Sequence, residues 1–111
     1  TATTEGRTVV SNYYEALNKK DYHGAYRYLS ARAMERYGTF ELWEQAMTKE
    51  EVPKVKAIQL DYVSQDQDDD IVVNYMGFTI TFEDNLEPVL VRLHNEGKGW
   101  GIVAIEAAEE D

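Results

Sequence analysis

Thr48-Lys49-Glu50-Glu51-Val52-Pro53-Lys54-Val55-Lys56-Ala57-Ile58-Gln59-Leu60-Asp61-Tyr62 contains the point at which the hydrophobic repeat of this chain changes. Upstream, Phe40, Trp43, Ala46 and Met47 recur at the three- and four-residue spacing of one helix face, behind Thr39 as capping residue. Pro53 lacks an amide hydrogen and disfavours helical backbone in the residue before it, so this helix ends by Val52. Downstream, Ile58, Leu60 and Tyr62 alternate with Gln59, Asp61 and Val63, the two-residue period of a half-buried strand. Helices therefore precede Pro53 and strands follow it.

Towards the N-terminus, Val9, Val10, Tyr13, Tyr14 and Leu17 form an apolar stripe with Ser11, Asn12 and Glu15 opposite, which predicts a first helix over about 5–19. Lys19 and Lys20 put positive charge at its dipole-negative end. Asp21 reads as the cap of a second helix with Tyr22, Ala25, Tyr26 and Leu29 on one face. So short a junction forces the two helices onto a shared surface. Ala31–Tyr37 adds one or two helical turns that Gly38 ends, and the helix capped by Thr39 is the third.

Towards the C-terminus, Gln65–Asp70 reads as a polar turn and Ile71–Phe82 as a long strand. Val72, Met76, Phe78, Ile80 and Phe82 share one parity there, with a bulge expected at Asn74 or Gly77. Glu83-Asp84-Asn85 and Glu96-Gly97-Lys98-Gly99 then turn the chain into strands over Pro88–His94 and Trp100–Ile105. Successive hairpin turns predict a four-stranded antiparallel meander with one face against the helices. The fold class is α+β, with three N-terminal helices on a curved sheet. The 111 residues suffice for one domain, 1–111, with 1–5 and 107–111 expected to fray.

Eleven Lys and Arg stand against 21 Asp and Glu, a formal charge of −10. Scattered cations on an acidic chain argue against nucleic-acid and anionic-membrane partners. The chain has no cysteine, which removes thiolate chemistry, disulfides and cysteine-based metal sites. No apolar run approaches the roughly 20 residues of a membrane span. No metal and no cofactor is expected. Asp66-Gln67-Asp68-Asp69-Asp70 superficially suggests calcium, but an EF-hand loop starting at Asp66 needs Gly and Glu where Ile71 and Gly77 stand.

Three helices before an antiparallel sheet, with Val9-Val10-Ser11-Asn12-Tyr13-Tyr14-Glu15-Ala16-Leu17-Asn18, Asp21-Tyr22 and Ala25-Tyr26, resemble the opening of the nuclear transport factor 2-like superfamily. Val91-Arg92-Leu93 and Gly99-Trp100-Gly101-Ile102 resemble its last hairpin, so the likeness spans about residues 8–105. The resemblance implies a cone-shaped, cystatin-like fold of the SnoaL-like kind, and it is specific for fold rather than activity. A bent sheet wrapped round helices encloses a cavity, the usual place for a small-molecule site.

Tyr13, Tyr14, Tyr22, Tyr26, Tyr28, Tyr37 and Trp43 are either ordinary core aromatics or the lining of that cavity. As ligand-binding candidates, Tyr14 and Tyr26 lead because each lies on its helix's apolar stripe, followed by Trp43, Tyr13 and Phe78. Cone-fold isomerases and polyketide cyclases use an Asp or a His–Asp pair as base, which makes His94 and Asp61 the catalytic candidates here. Both have strand parities that point to solvent. Arg27 and Arg92 read as surface partners of the many acids rather than as anion anchors.

The first expectation is a non-catalytic module that binds a small apolar or aromatic ligand or another protein. The resemblance and the Thr-rich start place it in a longer bacterial secreted or membrane-anchored protein, extracytoplasmic, with a cytoplasmic location left open. One alternative is a small cofactor-independent enzyme of the polyketide cyclase or ketosteroid isomerase type. Another is a structural domain that forms a homodimer through the outer sheet face.

Overall fold

The computed structural model describes residues 1–97 and 99–108, and for Asp68 the backbone alone. The order is α1 (Ala2–Asn18), α2 (Tyr22–Tyr26), α3 (Ala31–Tyr37), α4 (Phe40–Thr48), β1 (Val55–Asp68), β2 (Ile71–Phe82), β3 (Val89–Asn95) and β4 (Gly101–Ala107). The strands form one antiparallel sheet in the order β1-β2-β3-β4. The architecture is α+β, and the repeat length changes at Pro53. Four helices stand where three were expected, because Ala31–Tyr37 is a helix in its own right, capped by Ser30 and ended at Gly38.

Side-chain oxygens start every helix: Thr1, Asp21, Ser30 and Thr39 accept from the backbone amides of Thr4, Gly24, Ala33 and Leu42. Thr1 thereby starts α1 three residues ahead of the expected position. At its other end, the Lys20 amide donates to the Leu17 carbonyl and the Asp21 amide to the Ala16 carbonyl, the paired bonds of a Schellman motif. Lys20 has a φ of 60°, the left-handed conformation that glycine adopts without steric cost. Lys20→Gly is expected to leave stability unchanged or raise it by up to about 1 kcal/mol, read from the urea midpoint, and a loss would contradict this account of the junction.

The core lies between the helices and one sheet face: Val10, Tyr13, Tyr14, Leu17, Ala25, Leu29, Ala33 and Trp43 meet Met76, Phe78, Ile80, Phe82, Val91, Leu93 and Ile102. Gly6 brings α1 close to β2, since a Cβ there would sit 2.5 Å from the Met76 sulfur. The open edge of β4 is covered by the chain between α2 and α3. Leu29 pairs in parallel with Ile102, whose amide donates to the Tyr28 carbonyl at 2.8 Å and whose carbonyl accepts from the Ser30 amide at 2.9 Å. Covering the edge in this way removes a template for unwanted strand pairing.

Several strand details differ from the periodic reading. β1 runs to Asp68, so the expected turn over Gln65–Asp70 shrinks to Asp69 and Asp70, with Asp69 at a φ of 56°. The bulge sits on β1 rather than on β2: Leu60 faces Phe78 and Tyr62 faces Gly77, which makes Asp61 the extra residue. This extra residue turns Tyr62 onto the face opposite Leu60, where its ring lies against Gly77. Two further irregularities fall between Val55 and Ala57 on β1, where Lys56 is extra, and between Arg92 and Leu93, where β4 carries Val103 as the extra residue. Val72 keeps the parity of Met76 but is 46 % exposed, because the hairpin runs past the core cluster. Val73, of the other parity, is the buried one. The expected fraying of 107–111 falls partly on Glu109–Asp111, outside the described residues.

Candidate functional site

α1, α4 and the Glu50–Pro53 segment meet the ends of β2, β3 and β4 around a cleft of about 390 Å³. Tyr13, Tyr14 and Leu17 come from α1, Met47 from α4, and Phe82, Val89 and Ile105 from the core-facing side of the sheet. Tyr37, Ala46, Glu50, Glu51, Val52 and Pro53 complete the lining. The segment from α4 to β1 is held by Asn18, whose side-chain amide donates to the carbonyls of Val52 at 3.2 Å and Pro53 at 3.3 Å. A helix end fixed to a loop by two such bonds gives the cleft a defined wall.

The floor is aromatic. Tyr13 and Tyr14 meet edge to face at 5.2 Å, and Tyr14 meets Phe82 edge to face at 5.5 Å. Burial pushes both phenols well above their ordinary range; Glu50 adds to it for Tyr14, and Tyr14, Tyr37 and then Glu50 add to it for Tyr13, against a hydrogen bond with Trp43. Both hydroxyls therefore stay protonated across the physiological range. Tyr14 is 5 % exposed and belongs to the lining of the cleft.

The other ligand-binding candidates lie elsewhere. Trp43 is fully buried between α2 and α4, with Tyr26 at 5.1 Å, Phe40 at 6.0 Å and Tyr22 at 6.3 Å between ring centroids. Tyr26 is half-buried in the same cluster, and Phe78 is fully buried beneath α1, with the Arg7 guanidinium 5.5 Å from its ring. Of the five, Tyr13 and Tyr14 line the cleft.

Asp61 and His94 also lie outside it, and they are in separate depressions. Asp61 is exposed on the far side of the sheet and accepts a hydrogen bond from the Thr79 hydroxyl at 2.5 Å, beside Arg92 and Glu106. His94 lines a depression of about 220 Å³ with Ser30, Arg32, Glu96 and Trp100. It is 6 % exposed, and its Nδ1 has no hydrogen-bond partner among the described residues. Glu96 lies 3.8 Å away, but its carboxylate is engaged by Arg32 at 2.5 Å.

Burial holds the His94 pKa below the usual imidazole value; Glu96 opposes this shift and Arg32 reinforces it. A depressed pKa means that the unfolded chain takes up this proton at a higher pH than the folded one. The contribution of His94 to stability is thus complete above about pH 6.5 and falls away as the pH drops through that value. His94→Gln should flatten the decline in urea midpoint between pH 7.5 and 5.5. An unchanged slope would show that His94 does not govern it.

Glu50, Glu51, Val52 and Pro53 are the lining residues that hydrophobic periodicity does not reveal. Their one sequence signal is position, at the junction where helical repeat gives way to strand repeat. Among the described residues, no group of His, Cys, Asp and Glu is arranged to hold a metal ion. No helix among them is long and apolar enough to cross a membrane. A comparison with protein-family models finds no match, and comparisons with curated proteins and with solved structures likewise find none.

Proposed function

We propose that this chain is a non-catalytic binding module of the nuclear transport factor 2-like kind, taking a small apolar or aromatic ligand in the cleft at the open end of its sheet. The observation that carries this reading is the cleft itself: about 390 Å³, floored by Tyr13, Tyr14, Leu17, Phe82 and Val89. That volume lies at the lower end of small-molecule sites, roughly 300–1,000 Å³. An apolar lining with one or two oriented polar groups suits recognition better than proton abstraction, since a phenol held far above neutral is a hydrogen-bond donor and not a base.

The bulges at Asp61 and Val103 support the cone shape, because an extra residue bends its strand and increases local twist. In this reading the module is the extracytoplasmic part of a longer bacterial protein. The enzyme alternative would use Asp61 or His94, each in a depression away from the aromatic floor, and is the weaker reading.

A titration of the labelled protein with a neutral aromatic such as 2-naphthol, followed by amide chemical shifts, tests the proposal. Shifts should cluster on Tyr13, Tyr14, Leu17, Val52, Phe82 and Val89. Val89→Trp, which fills the cleft, should weaken the interaction by about tenfold or more, that is about 1.4 kcal/mol. Perturbations confined to Asp61, Thr79 and Arg92, or to the surroundings of His94, would contradict it.

A further inference from the structure

Taking the cleft as a ligand site, which is the reading above, we infer that its occupant is a cation: an amine or quaternary ammonium carried on an apolar or aromatic body. The charge of the lining decides the class. Glu50 and Glu51 are exposed on one wall, and among the described residues no Lys, Arg or His lines the same cleft. Asn18 fixes that wall to α1 through the carbonyls of Val52 and Pro53, next in the chain to the two glutamates that line the cleft. The aromatic lining then supplies what a cation needs after losing water: the rings of Tyr13, Tyr14, Tyr37 and Phe82, whose faces carry the negative part of the quadrupole.

Two further observations point the same way. Tyr14 lines the cleft as a neutral phenol, whose oxygen can accept from an N–H donor. Glu50 also acts on both buried phenols, disfavouring their anionic forms, so the negative potential reaches the floor of the cleft and is not confined to its rim. A potential that opposes phenolate favours a cation and opposes a carboxylate ligand. The formal charge of −10 adds to it at longer range.

Three probes of similar size separate this inference from the reading on which it rests: phenethylammonium, 2-phenylethanol and phenylacetate, titrated at pH 7 into the whole chain and followed by amide shifts. The cation should bind about fivefold tighter than the alcohol and the anion more weakly than either, the ratio expected for a unit charge a few ångströms from largely solvated carboxylates. In Glu50→Gln/Glu51→Gln the preference should vanish while 2-phenylethanol binds as before. Both positions are exposed, so folding is not at stake. Sodium chloride at 0.5 M should shrink the preference in the unsubstituted protein. Equal binding of all three probes in the cleft would overturn the cationic class and leave the binding module standing. If none of the probes shifts the cleft residues, both fall.

Discussion

Trp43→Ala is expected to lower the unfolding free energy by about 3–5 kcal/mol, the range for deleting a fully buried large aromatic. Trp43 has no exposed surface, and its ring meets those of Tyr26, Phe40 and Tyr22 within 6.3 Å. These partners belong to α2 and α4. α2 is five residues long, far below the length at which a helix is stable alone. Its persistence depends on this packing, so the loss should exceed the transfer term and include part of α2. Urea unfolding followed by circular dichroism measures it, and a loss below about 1 kcal/mol would show that the α2–α4 cluster is peripheral to the fold.

Gly77→Ala is expected to cost about 1–3 kcal/mol through overpacking. A Cβ at Gly77 would lie 2.2 Å from the Tyr62 ring, which the Asp61 bulge has brought onto that face. The ring must move, and it covers the middle of the sheet's far side. In a Tyr62→Ala background the same substitution should cost little, because the obstacle is gone. The two single losses should then sum to at least about 1 kcal/mol more than the loss in the double variant, a coupling measurable by a double-mutant cycle. Additive losses would place the ring elsewhere and remove the bulge as its cause.

The helical half was legible because its signals are local. Asp21 and Thr39 each stand one residue before an apolar stripe, and each caps a helix. Ala31–Tyr37 was seen as a turn or two because seven residues carry too few apolar positions to set a period, although Ser30 and Gly38 bracket it. In the sheet, alternation gave Met76, Phe78, Ile80 and Phe82 their shared face. It failed at Tyr62 and Val72, for two different reasons. An extra residue such as Asp61 leaves no trace in a two-residue period, yet it reverses every side chain beyond it. Val72 has the correct parity, but only tertiary structure shows that no helix covers it.

The site was half legible for a related reason. Tyr13 and Tyr14 lie on the apolar stripe of α1, which makes them core or cavity, and they prove to be both buried and cleft-lining. Glu50 and Glu51 carry no periodic signal, lying between the helical repeat and Pro53. Only the fold brings Glu50 near phenols, 37 residues distant in the case of Tyr13. Charge on a loop acquires meaning from what lies beneath it, and periodicity carries no record of that.

The central claim is that the cleft between α1, α4 and the strand ends receives a small aromatic molecule. A crystal structure of the protein soaked with 2-phenylethanol tests it most directly. The account predicts electron density for a ring between Tyr14, Phe82 and Pro53, with the alcohol oxygen within hydrogen-bond reach of the Tyr14 hydroxyl. Density at the far side of the sheet with the cleft closed by Tyr37 or Met47 would contradict it.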